Sequence, residues 1–281
     1  MRNIECHSIT NAISSLFQDA CINLPVDVIS SLKKARSREE SPLGQHVLDA
    51  ILKNIQIAAQ ENLPVCQDTG TAVVFLDIGQ NIHITGGNLY QAVNEGVRKG
   101  YEKGFLRKSM VTQSFSARQN TTDNTPAVIH TEIVDGNLLK ITALPKGGGA
   151  ENCSRLTVLP PAKSHPGIIE FCVNLVSECG SNACPPLILG IGIGGTTDKT
   201  MLLAKRALLR EVGKANPDKE IADLENVILS QVNKLGIGPM GYGGRVTALA
   251  VHIETFPTHI ASLPVAVNMQ CWCSRHKEIT L

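Results

Sequence analysis

Apolar residues recur along this chain at two spacings, and the switch between them predicts its elements. Leu43, Val47, Leu48, Ile51, Leu52 and Ile55 fall three and four residues apart behind Ser41-Pro42, a hydroxyl cap followed by a first-turn proline. A helix is expected there, and the region of about residues 8–60 reads as helical. Leu89, Val93, Val97 and Tyr101 mark a second amphipathic helix with Lys and Glu on its other side. His165 to Cys179, Thr197 to Arg210 and Asp218 to Leu235 are further helices. Short apolar runs predict strands at Val73 to Ile78, Leu187 to Ile193, Val246 to Thr255 and Pro264 to Cys271. Ala127 to Val134 and Leu138 to Leu144 flank Asp135-Gly136-Asn137 and predict a hairpin. Helices and strands intermix without repeat or long linker, so the expected fold is mixed α/β (α+β), with residues 1–281 as one domain behind a helical N-terminal segment.

Composition narrows the function. Lys plus Arg number 26 against 25 for Asp plus Glu, which gives no basic surplus for phosphate neutralisation and sets nucleic acid aside as a partner. With 43% hydrophobic and 18% charged residues the chain can build a core, so a mainly disordered protein is excluded. No apolar run approaches the ~20 residues that span a bilayer, and Glu5, His7 and Asn11 make the first stretch too polar for a signal segment. The expectation is a cytoplasmic protein with no membrane partner. Nine cysteines, an odd count without a CxxC pair, argue against a disulfide framework or a local zinc ribbon and leave ligation from distant segments, catalysis or burial.

Four polar, glycine-rich stretches lie between the apolar elements. Leu63 to Thr71 sets Cys66, Gln67, Asp68 and two threonines side by side, and a polar turn capped by Asp68 with Cys66 buried would use the same residues. Pro145 to Asn152 holds Gly147, Gly148 and Gly149, whose backbone could approach an anion or simply bend. Gly190, Gly192 and Gly195 spell a literal GxGxxG. A dinucleotide site would need a second strand ending in an acidic residue ~20 residues on, where Glu211-Val212-Gly213-Lys214 leads into a helix instead. The last stretch puts His259 twelve residues before Cys271, and a lone histidine of this kind is more often structural.

Taken together, LPVCQDTG, LRKSMV, DNTPAVIH, PKGGGAEN, ACPP with IGGTTDK, GYGGR and LPVAVNMQCW closely resemble the α subunit of the iron-sulfur class of fumarate hydratase, and share their pattern with the related L(+)-tartrate dehydratase α subunit. The resemblance runs from about residue 8 to the end, with the motifs in order. It implies a hydro-lyase for a four-carbon dicarboxylate, fumarate and malate before tartrate. It also implies a [4Fe-4S] cluster held by Cys66, Cys184 and Cys271 with one iron open to the substrate hydroxyl. By the same resemblance Gln67, Arg107 and Gly149 contact the substrate, and Asp68 and His259 carry protons or orient one another. A separate β subunit is implied to complete the site, in a hetero-oligomer. Cys273 shares a strand face with Cys271 and is the competing ligand, while Cys6, Cys21, Cys153, Cys172 and Cys179 read as buried fillers. A reading from another class is a non-catalytic cluster-binding or regulatory module, against which Gln67, Asp68, Arg107 and His259 speak, because holding a cluster requires no carboxylate grip.

Overall fold

A computed structural model describes residues 2–281. The chain starts with β1 (Arg2–Glu5), α1 (Cys6–Ile22), α2 (Val26–Arg38) and α3 (Pro42–Glu61). Next come β2 (Thr71–Gly79), β3 (Ile82–Thr85), α4 (Leu89–Lys103), β4 (Val128–Val134), β5 (Leu139–Lys146) and the short α5 (Gly148–Asn152). Then follow β6 (Arg155–Leu159), α6 (Ser164–Cys179), β7 (Leu187–Gly194), α7 (Thr197–Ala207), α8 (Lys219–Asn233), β8 (Ala248–Phe256), β9 (Leu263–Gln270) and β10 (Lys277–Thr280). The fold is mixed α/β, as the periodicities require. At the start of α3 the Gly44 N–H donates to Ser41 Oγ at 3.2 Å, the cap that the Ser-Pro pair predicts.

The chain divides into two compact units. One takes in the chain up to Leu24, Ile55–Gly148 and Arg275–Leu281; the other is Pro25–Asn54 with Gly149–Ser274. In the first, a sheet of order β10-β5-β2-β4 is backed by α1 and α4. Ile9, Ile13 and Phe17 of α1 and Val93, Val97 and Tyr101 of α4 pack with Ala72, Val74 and Leu76 of β2 and Ile141 and Ala143 of β5. Here the expected hairpin is corrected. β4 and β5 do not pair with each other, because β2 lies between them, parallel to β4 and antiparallel to β5. Val73, Val74, Phe75 and Leu76 are all buried, so β2 is apolar on both faces and belongs in the middle. Each such side chain contributes about 2 kcal/mol when buried, more than the ~1 kcal/mol spanned by strand propensities. The Asp135-Gly136 turn reverses the chain around the end of β2, its Gly136 carbonyl accepting from the Asn81 N–H at 3.0 Å. β1 and β3 form a separate parallel pair that periodicity did not reveal.

In the second unit the sheet order is β6-β9-β7-β8, with β7 parallel to β8 and antiparallel to β9. Ile168, Leu175 and Val176 of α6 and Leu224, Ile228 and Val232 of α8 cover one face through Leu189, Ile191, Val251, Val265 and Val267. α7 covers the other so closely that a Cβ on Gly190 would stand 2.1 Å from the Ala204 carbonyl oxygen, and one on Gly192 the same distance from that of Thr200. The first two glycines of the GxGxxG string therefore serve helix-on-strand packing. Among the described residues no helix is long and apolar enough to cross a membrane.

Candidate active site

The loop from Cys66 to Gly70 carries α3 into β2. Its start is docked by the Val65 N–H on the Cys21 carbonyl at 2.9 Å. At its end Gly70 has φ +76°, and a Cβ there would lie 2.6 Å from the Lys146 backbone, so only glycine lets β2 begin this close to the end of β5. Both oxygens of Asp68 are fixed: Oδ1 accepts from the Gly70 N–H at 3.0 Å and Oδ2 from the Gly148 N–H at 2.9 Å. The turn-capping reading of Asp68 is thus realised, and the second glycine of the triple run is spent on its carboxylate.

Three further side chains hold this loop. The buried Tyr101 hydroxyl lies 2.8 Å from the Thr69 carbonyl and 2.9 Å from that of Gly70; burial pushes its pKa well above the ordinary phenol value, so it serves as a donor. Thr69 Oγ1 donates to the Arg107 carbonyl at 3.0 Å. Arg275, one of the largest fully buried side chains, donates to the Asp68 carbonyl and, at 3.5 Å, to that of Pro145. Gln67 and Arg107 are exposed, while Cys66 and Asp68 are half-buried. Tyr101 read as an ordinary helix-face residue and Arg275 carried no motif of its own. The only signal for the latter is its place four residues after Cys271.

In the second unit Cys184 is exposed and left-handed, with φ +55°, just before β7. The Trp272 N–H donates to the Cys184 carbonyl at 3.2 Å, which brings the residue after Cys271 against Cys184. The pair sits at the end of the β7/β9 ladder where Ile188 faces Gln270. His259 lies on the exposed loop before β9, at the opposite end, where Ile193 faces Val265. Five residues of paired strand, roughly 17 Å, separate the two ends, so His259 is not brought to the cysteine end of its own sheet. Its Nδ1 accepts from the Ala261 N–H at 3.1 Å, which places the proton of the neutral ring on Nε2. Gly149 is exposed at the start of α5.

The nine cysteines fall into two sets, and none forms a disulfide. Six are buried: Cys6, Cys21, Cys153, Cys172, Cys179 and Cys273. Burial pushes the Cys21 thiol up to about 11, and Cys172 and Cys179 up to about 12, so these are poor thiolates. The three that are not buried are Cys66, Cys184 and Cys271. Cys66 belongs to the first unit and the other two to the second. Among the described residues no three His, Cys, Asp or Glu side chains form a ready metal-holding group.

Comparison with known proteins gives this geometry its context. The family model described as fumarate hydratase (Fumerase) matches residues 10–280. A protein of Methanocaldococcus jannaschii, provisionally named L(+)-tartrate dehydratase subunit alpha, is 41% identical over 272 residues, covering 95% of each chain. The L(+)-tartrate dehydratase subunit alpha of Escherichia coli K12 is 30% identical over 271 residues, covering 96% of this chain and 89% of its own. Match and identity extend over both units and both cysteine-bearing ends, and the chain belongs to the fumarate hydratase (Fumerase) family.

Proposed function

We propose that this chain is the α subunit of an iron-sulfur-dependent hydro-lyase interconverting fumarate and (S)-malate, residues 1–281 acting as one catalytic domain. The observation that carries the reading is the sorting of the cysteines: the three thiols left accessible are the three that the family resemblance selects as ligands. A donor set of three thiols fits a [4Fe-4S] cluster, and Cys66, Cys184 and Cys271 would hold it. When bound, such a cluster supplies a Lewis-acidic iron for the substrate oxygen. Cys273, only 1% exposed, is the weaker candidate for ligation.

Asp68 is the proton carrier of this proposal. Its two backbone hydrogen bonds fix the carboxyl and leave further lone pairs on each oxygen to take a proton from water in hydration and return it to the departing hydroxyl in dehydration. The exposed Arg107 guanidinium offers a planar fork to one substrate carboxylate, with Gln67 and the Gly149 backbone as further contacts. The carbon-bound proton goes to a base on a separate β subunit, and the assembly works in the cytoplasm. His259, at the far end of its ladder, takes a lesser part than the resemblance implies.

A second reading, L(+)-tartrate as substrate, is favoured by the names of the relatives at 41% and 30% identity. Anaerobic purification with the β partner and assays on malate, fumarate and both tartrate enantiomers test the reading. Turnover of fumarate and malate with an intact cluster is expected; turnover of tartrate alone would replace the substrate, and activity after complete iron removal would overturn the cluster.

A further inference from the structure

Asp123-Asn124-Thr125-Pro126 lies in one of the motifs that carry the resemblance, yet neither cluster ligation nor substrate binding uses it. Asn124 is fully buried and held at φ +63°, a left-handed conformation that asparagine tolerates better than most residues. Asp123 fixes the turn, accepting from the Thr125 N–H at 2.9 Å, from Thr125 Oγ1 at 2.7 Å and from Arg98 Nε at 3.1 Å. Both ends of the Asn124 amide are then occupied: Oδ1 accepts from the Ser109 N–H at 2.7 Å, and Nδ2 donates to the Gly70 carbonyl at 3.1 Å. These partners decide the orientation of the amide, since Ser109 offers a donor and Gly70 an acceptor. One link therefore joins the backbone two residues after Arg107 to the backbone two residues after Asp68. The Thr69 hydroxyl on the Arg107 carbonyl is a second link between the same two loops.

We propose that Asn124, seconded by Thr69, is a positioning residue that sets the distance between Asp68 and Arg107 and thereby the length of dicarboxylate the site accepts. The proposal rests on the reading of Arg107 as carboxylate grip and Asp68 as proton carrier. Beside the burial of Leu106 in the core, the Asn124 and Thr69 side chains hold the exposed Arg107 stretch in register with a carboxylate 39 residues earlier. A displacement of about 1 Å between binding and reacting groups can cost ~100-fold in rate, so a strap of two buried hydrogen-bonded side chains has a kinetic consequence. Asn124→Asp would put a second acceptor oxygen against the Gly70 carbonyl while keeping the acceptor for Ser109. It separates the two halves of the link.

The test uses the full chain purified anaerobically with its β subunit, comparing Asn124→Ala, Asn124→Asp, Arg107→Lys and Ile228→Ala, the last a truncation of a fully buried α8 side chain in the core of the second unit. Cluster absorbance, melting temperature, kcat and KM on four- and five-carbon diacids, and hydrogen exchange of the Ser109 amide are read on each. For Asn124→Ala the expected result is normal cluster content, a kcat/KM loss of about 100-fold dominated by KM, faster Ser109 exchange, and a preference for the four-carbon acid reduced at least about tenfold. Asn124→Asp should share the KM defect but keep Ser109 protected, and Ile228→Ala should lower melting temperature without touching KM. If Asn124→Ala does not accumulate, Asn124→Asp and Thr69→Val carry the same comparison. Asn124 variants that merely track Ile228→Ala, beside a defective Arg107→Lys, overturn the strap. An unchanged KM in Arg107→Lys overturns the underlying grip, and the strap's role with it.

Discussion

The Asp68 loop and the His259 loop both display a polar residue that the sequence marks for chemistry, but they are held very differently. Around Asp68, backbone donors from Gly70 and Gly148, the hydroxyls of Tyr101 and Thr69, the amide of Asn124 and the guanidinium of Arg275 fix the loop from several sides. Around His259 the ties are the Gly195 N–H to the Pro257 carbonyl at 3.2 Å, Thr258 Oγ1 to the Gly195 carbonyl at 3.1 Å, and two bonds within its own turn, the Ser262 N–H to the His259 carbonyl at 2.9 Å and the Ala261 N–H to its ring, with Ile260 beside it 92% exposed. Groups that transfer protons must be held to within fractions of an ångström, so the density of bonds around a residue says more about its role than its chemical type does.

The largest effect expected is at Cys66, inside the tightly held loop: Cys66→Ser should abolish the broad visible absorbance of the anaerobically reconstituted protein, while Cys273→Ser, at a buried thiol, should keep it. The reverse outcome would exchange ligand and filler. Next comes the direct contrast of the two loops. Asp68→Asn should cost ~100 to 10,000-fold in turnover with the cluster spectrum intact, and His259→Asn less than about tenfold. Equal losses, measured per cluster, would mean that the His259 loop serves a reaction centre away from its own end of the ladder.

Stability gives two smaller effects. Arg275→Met leaves the Asp68 and Pro145 carbonyls short of a donor, at about 1–3 kcal/mol for each group left unsatisfied. A urea midpoint that falls with unchanged slope checks this, and an unshifted midpoint would remove Arg275 from the loop's supports. His252, buried on β8 upstream of the His259 loop, has its pKa lowered to about 4, chiefly by burial and further by Arg210. The unfolded chain, with an ordinary histidine near 6.5, binds the extra proton between the two values, so stability rises with pH across that window. The contribution, on the order of 3 kcal/mol, is complete above the unfolded pKa and is lost as pH falls towards 4. A stability-pH profile for His252→Gln as steep as the native one in this window would show that other groups carry the slope.

The main helices and most strands were legible because periodicity reports burial, and burial decided them. Strand partners were not legible: Asp135-Gly136 announces a chain reversal, whereas the insertion of β2 between β4 and β5 depends on apolar side chains on both of its faces. Cys66, Asp68 and Arg107 were visible through their motifs, and the residues that hold them were not, since Tyr101, Asn124 and Arg275 act through side-chain bonds across 31, 54 and 207 positions of chain. GxGxxG, set aside as a dinucleotide site for want of a second strand, shows why that string is ambiguous by itself, as close helix packing and phosphate binding ask the same smallness of a residue.

The placement of β2 also bears on how the first unit is reached during folding. The Asp135-Gly136 turn favours a local ribbon of the segments on either side, which needs only a short loop to close and would form in about 1–10 μs. In the native sheet those segments are not neighbours, and Val73 faces Val128 across 55 residues of chain. The nearest-neighbour ribbon is therefore a competitor of the native pairing. Were it to form first, it would have to open to admit a strand made earlier in the sequence, and that quick local event would delay the unit's completion rather than nucleate it.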